Sequence, residues 1–208
     1  GDSASHDAVF RQTRAQASSG NITEVAEIAK LYADNYASFR RERAERIHLY
    51  PRGLDLGTLV ACQNNMNPQL LFELDRLLQD ENLGVGTIIC GVDEEPHIYS
   101  ISDPGVMTCH DSIGFCAIGF GARQFETLFM YRGYSPFWDW LQALLLMYTA
   151  KKRAESSPGV GKYTDFYYFK GNEPGSGFLT PECLGALECY YEELRATNKM
   201  RFPGTDSI

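Results

Sequence analysis

The spacing of the apolar residues changes twice along this chain of 208 residues, and these changes limit the folds that it can adopt. Apolar residues recur at helical spacing over 7–17, 23–48 and 68–79. Over 85–118 they form short continuous or alternating runs between turn residues, which is typical of strands. Helical spacing then returns. Helices, then strands, then helices again predict an α+β fold with layers of helix and sheet.

Tight turns separate the apolar runs in the middle of the chain, so we expect an antiparallel meander of four short strands. The predicted strands cover 85–92, 97–101, 106–109 and 113–118. Helices over 122–131 and 135–155 follow, then a strand over 165–169 and a last helix over 181–197. Ser135 and Thr180 are the expected N-caps of the last two helices.

Composition excludes two classes of partner. The chain has 27 acidic and 19 basic residues, a net charge of -8, which disfavours general binding to nucleic acid. The longest apolar run, 141–147, is much shorter than the roughly 20 residues that a membrane span needs. We therefore predict a cytoplasmic protein with neither nucleic acid nor membrane as a partner. The alternating charges of 40–46 predict a solvated, ion-paired helix face, with the pairs Arg41–Glu45 and Glu42–Arg46.

Six cysteines occur without any C-x-x-C pair, which predicts reduced and buried thiols. The chain begins at Gly1 with neither an initiator Met nor a signal-peptide segment, so we expect a processed or cut start. The four histidines show no metal-ligand spacing, and we predict neither a metal nor a cofactor.

Two motifs that suggest catalysis do not meet the requirements of their chemistry. The run 159–162 ends in Gly-Lys, but Ser156 stands where a phosphate-binding loop needs glycine. Cys109, His110 and Asp111 are consecutive, and neighbouring residues on a strand point to opposite faces. We therefore expect that Cys109 and His110 do not share a proton.

A longer run of residues in the middle of the chain gives a more specific indication of a protein family. The run Gly84–Asp93, followed by His97-Ile98-Tyr99, resembles the central hairpin of proteasome β subunits and their bacterial relatives. The Gly119-Phe120-Gly121 turn and the elements after it keep the order found in that family, so that the resemblance covers about 80–170. It implies a single proteasome-like domain over 1–208, in which 40–68 is an insertion atypical of the family.

The resemblance implies the αββα sandwich of N-terminal nucleophile hydrolases, in which helix layers enclose two antiparallel sheets. In that family an N-terminal Thr, Ser or Cys attacks a peptide carbonyl, and its own amino group can act as the base. A backbone N–H at the Gly-x-Gly turn helps to hold the oxyanion. The implied function is a proteasome-type (threonine-type) peptidase or amide hydrolase that assembles as a homo-oligomer and takes a peptide or protein substrate.

This chain departs from the family at several positions. The strands that carry the nucleophile have no counterpart before the first predicted helix, Gly1 has no side chain, and Ser3 would lack a strand behind it. The resemblance leaves Gly121, Glu155 and Gly159 as accessory site residues, with the nucleophile outside the chain.

Two interpretations follow from these departures. The chain is a truncated and inactive piece of a hydrolase, or it is a non-catalytic assembly or binding subunit with the same fold. An unrelated α+β domain is the third alternative.

Overall fold

The computed structural model describes residues 3–169 and 176–197 as a mixture of helices and small antiparallel sheets, which confirms the α+β class. The helices are α1 Ser3–Gly20, α2 Val25–Ala44, α3 Leu56–Cys62, α4 Pro68–Asp80, α5 Ala122–Tyr131, α6 Trp140–Ala154 and α7 Pro181–Ala196. The strands are β1 Thr87–Val92, β2 Pro96–Ser102, β3 Val106–Cys109, β4 Tyr167–Tyr168 and β5 Gly177–Phe178. Among the described helices, none is long and apolar enough to cross a membrane.

The chain divides into two compact units. The first contains the described residues up to Thr87 together with Ile101–Thr108, and the second contains Ile88–Ser100 and the described residues from Cys109 onward. The stretch 40–68, expected to be an insertion, belongs to the first unit. The single proteasome-like domain and its αββα sandwich remain predictions.

In the first unit, α1 and α2 are joined through a buried amide. Asn35 Nδ2 donates to Thr13 Oγ1 at 3.0 Å and to Gln16 Oε1 at 2.7 Å, and Asn35 Oδ1 accepts from Gln12 Nε2 at 3.1 Å. Because a buried amide without partners costs free energy, these bonds favour one alignment of the two helices. The helix predicted over 23–48 is α2, extended by a π-helical turn over Glu45–Leu49.

The end of α2 and the end of α4 are joined by charged side chains. Arg40 donates through Nε to Glu81 O and through Nη2 to Gln79 O, both at 2.7 Å, so it caps the last carbonyls of α4. The Glu81 carboxylate lies 3.1 Å from both Arg43 Nε and His48 Nε2.

The prediction that 40–46 form a solvated, ion-paired helix face is therefore only partly correct. Glu42 and Arg46 form the predicted exposed pair at 2.6 Å, whereas Arg40 binds backbone carbonyls. The other predicted pair was Arg41–Glu45. Glu45 makes a different contact instead, since its Oε1 accepts from the backbone N–H of Leu56 at 3.1 Å.

Three of the four strands of the predicted meander are present, and β1, β2 and β3 are hydrogen-bonded in that order. The prediction of a fourth strand over 113–118 is wrong, because these residues form turns and irregular chain. Phe115 is buried beside the rings of Phe129 and Tyr134, with centroids 4.8 and 5.9 Å away. Gly114 has a φ of 71° and leaves no room for a Cβ against Pro136, so the apolar run enters a helical core instead of a sheet.

The second unit has its core between α5 and α6, where Phe129 and Leu146 are almost completely buried. Ser135 is not the N-cap of α6, since Asp139 accepts from Leu141 N at 3.0 Å and begins the helix four residues later. The strand expected over 165–169 is reduced to β4, which pairs with β5. Thr180 caps α7 as predicted.

The prediction of buried thiols is wrong for five cysteines. Cys116 is partly buried, and the exposed ones are Cys62, Cys90, Cys109, Cys183 and Cys189. The apolar residues around a cysteine do not report its burial here, because half of the positions on a strand or helix surface face solvent.

Candidate functional site

The Gly119-Phe120-Gly121 turn lies against the end of α6. Gly121 is the residue before α5, and a Cβ placed on it would lie 2.8 Å from the Cβ of Ala154 and 3.2 Å from Cγ2 of Val160. The first distance is shorter than side chains tolerate. A glycine is therefore needed at position 121 so that the start of α5 can approach the end of α6.

Gly159 lies on the other side of the same junction. Its φ is 87°, a left-handed conformation that favours glycine, and its Cβ position lies 3.3 Å from the ring of Phe120. Two glycines that the resemblance named from separate stretches of sequence are thus brought together.

Glu155, the third residue named by the resemblance, follows α6 directly at this junction. Its Oε1 lies 2.6 Å from Lys151 Nζ and 3.9 Å from Lys152 Nζ, and its side chain is 15% exposed. Lys151 Nζ also donates to Gly161 O at 2.7 Å. The carboxylate is therefore paired with lysines that hold the loop after α6, and its role as an accessory catalytic group remains a prediction.

A cavity of about 470 Å³ opens beside this junction. Its lining comes from the first two turns of α5 and from the end of α6: Arg123, Gln124, Thr127, Leu128, Lys152, Arg153 and Ser156. Sequence reasoning missed this set, because the two stretches lie about 30 residues apart and only the packing of the helices brings them together. The signal in the sequence was weak: an arginine in the first turn of one helix and a basic run at the end of the next.

A second polar cluster surrounds His97 on β2. Its Nε2 lies 3.1 Å from Asp93 Oδ1 and its Nδ1 lies 2.7 Å from Asp111 Oδ2. Asp111 also accepts from the backbone N–H of Ile98 at 2.8 Å. The hydrogen bond with Asp111 raises the pKa of His97 above its ordinary value, with Asp93 adding to the effect. Burial alone would raise the pKa of Asp111, but its bonds with His97 and Ile98 outweigh this and lower it.

His110 and the next residue, Asp111, have different hydrogen-bond partners. His110 Nε2 lies 2.8 Å from Ser100 Oγ, whereas Asp111 binds His97. His110 and Asp111 lie beyond the end of β3 and bind residues of β2 that are three positions apart. His110 and Asp111 thus have separate partners, and the expectation that Cys109 and His110 do not share a proton stays a prediction.

Comparisons with known proteins add no assignment. No protein-family model matches this chain, and no curated protein matches it. The described residues contain no group of three or more His, Cys, Asp or Glu side chains that could hold a metal ion. The likeness to proteasome β subunits thus rests on the sequence motifs quoted above.

The close approach at Gly121 predicts that alanine substitutions at two glycines of the second unit change the free energy of unfolding differently. Gly121→Ala should lower the free energy of unfolding by about 1–3 kcal/mol, because its Cβ would overlap Ala154. Gly161→Ala should be neutral or stabilise by about 0.4–1 kcal/mol, since nothing lies within 4 Å of its Cβ position. Urea unfolding of both variants measures this difference, and equal stability of the two would contradict the tight junction.

The cluster around His97 predicts a pH dependence of stability. Because folding raises the pKa of His97, its stabilising effect is complete below its ordinary pKa of 6.5 and is lost as the pH rises through the raised value. The lowered pKa of Asp111 stabilises the fold above 3.8, and this effect is lost as the pH falls through the lowered value.

Asp111→Asn should therefore shift the NMR titration of His97 to lower pH and weaken the loss of stability on the alkaline side. Asp165→Asn is the matched control, because it removes the same charge from an exposed residue of the same unit. An unchanged His97 titration in Asp111→Asn would show that the contact does not form in solution.

Proposed function

We propose that this chain is a non-catalytic assembly subunit of the proteasome-like type, which associates with further copies of itself. The observation that carries the proposal is a cluster of exposed aromatic rings on the second unit. The cluster consists of Tyr167, Phe169 and Phe178 and is called the aromatic cluster below.

The rings of the aromatic cluster touch one another, and the described part of the chain leaves them exposed. The centroid of Tyr167 lies 5.1 Å from that of Phe169 and 4.9 Å from that of Phe178, both in edge-to-face geometry. The three residues are 50%, 51% and 69% exposed. Such contacts arrange the rings into a continuous apolar surface instead of scattering them.

The size of this surface favours an interface. An aromatic side chain can bury about 150–250 Å², so three half-exposed rings offer on the order of a few hundred Å². The largest apolar patch on a typical soluble monomer is about 300–600 Å², and it is often a functional surface. A partner that covers the aromatic cluster would gain hydrophobic free energy of about 25 cal/mol for each Å² removed from water.

A second copy of the chain is the partner that suits this surface. Tyr167 and Phe178 are paired residues of β4 and β5, which form a two-stranded sheet. Strands at the edge of a sheet have unpaired backbone groups that can bind another strand. Two copies related by a twofold axis would place the same rings against each other, which makes the contact self-complementary.

The net charge of the chain makes this self-association depend on salt concentration. Copies with a net charge of -8 repel one another, and salt screens that repulsion over about 8 Å at physiological ionic strength. Hydrophobic contact is not weakened by moderate salt. Self-association through the aromatic cluster should therefore increase with salt concentration.

Sedimentation velocity at several protein and salt concentrations tests the proposal. We expect a concentration-dependent oligomer that Phe178→Ser and Tyr167→Ser each weaken by about tenfold or more, through loss of buried ring area. Phe72→Ser is the matched control, because Phe72 is 73% exposed on α4 of the first unit. A monomer at every concentration, or an equal loss in the Phe72 variant, would overturn the proposal.

The amide hydrolase implied by the resemblance is a second candidate. It is favoured by one observation, namely that Gly121, Glu155 and Gly159 lie at one junction. Intact mass measurement and N-terminal sequencing of the protein made from its complete gene test it. A mature chain that starts with Thr, Ser or Cys and reacts with a nucleophile-trapping inhibitor would support the hydrolase, and a mature chain with no such residue at its terminus would exclude it.

A further inference from the structure

The cavity beside α5 and α6 presents side chains that donate hydrogen bonds. Arg123 and Arg153 contribute guanidinium groups, Lys152 an ammonium group, and Thr127 a hydroxyl. Among the described residues, no carboxylate lines this cavity. In a chain of net charge -8, the two arginines give this cavity a local excess of positive charge, since Lys152 is paired with Glu188.

The two arginines differ from the lysine, because the described residues offer them no partner. Lys152 Nζ lies 3.0 Å from Glu188 Oε1 and is held by that pair. Within the part of the chain that the structure describes, neither Arg123 nor Arg153 forms a hydrogen bond or ion pair through its guanidinium group. Both side chains are exposed, so their guanidinium groups are hydrated and open to a ligand that enters the cavity.

The position of Arg123 is unfavourable for the isolated fold. It lies in the first turn of α5, where the helix dipole is positive and disfavours a cation. The residue before the helix is Gly121, which has no side chain to cap the first N–H groups. An anion in the cavity would offset both costs. Arg153, in contrast, lies in the last turn of α6, where the helix dipole favours a cation even without a bound anion.

We propose that this cavity binds the phosphate group of a phosphorylated small molecule. Arginines match phosphate oxygens through two parallel N–H bonds, which are stronger than bonds between neutral groups. Arg123 and Arg153 hold the phosphate from two different helices. Thr127 and Gln124 lie on the same face of α5 as Arg123 and offer neutral donors. Ser156 already donates to Arg153 O at 2.8 Å, so its hydroxyl proton is used in the end of α6.

The dimensions of the cavity fit a small molecule better than a free ion. About 470 Å³ lies within the range of small-molecule sites and exceeds the volume of one phosphate several times. Leu128 contributes an apolar side chain to the lining. This inference concerns a site other than the aromatic cluster, and it needs neither self-association nor a nucleophile.

Isothermal titration calorimetry of the full chain tests this site with three probes: ribose 5-phosphate, inorganic phosphate and unphosphorylated ribose. We expect saturable binding of ribose 5-phosphate that weakens with salt, and no binding of ribose. Tighter binding of ribose 5-phosphate than of inorganic phosphate supports a phosphorylated metabolite as the ligand. Equal binding of the two supports the phosphate site with the free ion as its ligand.

Three charge-removing variants separate the cavity from general charge effects. Arg123→Gln and Arg153→Gln should each weaken binding about tenfold or more, as expected for loss of a charge-assisted bond. Arg195→Gln removes the same charge from an exposed helical pair with Glu192 and should leave the affinity unchanged. Absence of saturable binding to the folded wild type, equal binding of ribose, or an equal loss in the Arg195 variant would overturn the proposal. Thermal unfolding of each variant verifies that it is folded.

Discussion

The contact between Gly121 and Ala154 is the constraint on which the candidate site depends. Because position 121 has no Cβ, the start of α5 comes within van der Waals contact of the end of α6. That approach places Arg123 near Arg153 and seats Phe120 over Gly159. A larger residue at 121 would separate the two helix ends and widen the cavity between them. Hydrophobic packing at Phe129 and Leu146 holds the helices together, and the glycine determines how closely their ends meet.

Polar side chains join the helices of the first unit. Asn35 joins α1 to α2, and Arg40 caps the end of α4 from a neighbouring helix. Polar groups of this kind are costly when unpaired, so they discriminate between alternative alignments more sharply than apolar contacts do. The apolar contribution comes from Leu49, Leu59 and Leu74, which pack between the π-helical turn, α3 and α4. The stretch 40–68 is therefore an integral part of this unit.

Local sequence signals predicted the helices well and the strands unevenly. The helix α7 begins where Thr180 and Pro181 indicate, because an N-cap acts through bonds to residues two or three positions away. The run 113–118 has the composition of a strand, yet Phe115 packs against Phe129 and Tyr134. Residues 135–139 hold two residues that can cap a helix, and the helix begins after the second, Asp139. Sequence spacing does not distinguish a strand from irregular chain over 113–118, nor the two possible starts of α6. Both outcomes depend on packing against side chains of neighbouring helices.

The sequence by itself determined the α+β class, the order of six of the seven described helices and three strands of the meander. All of these follow from backbone periodicity and from contacts between residues close in the chain. Only the tertiary structure decided that Asp111 meets His97, that Glu155 pairs with Lys151, and that Arg123 and Arg153 line one cavity. The reason is physical. Such contacts depend on strand register and on the distance between helix axes, and both are set by the packing of side chains far apart in sequence.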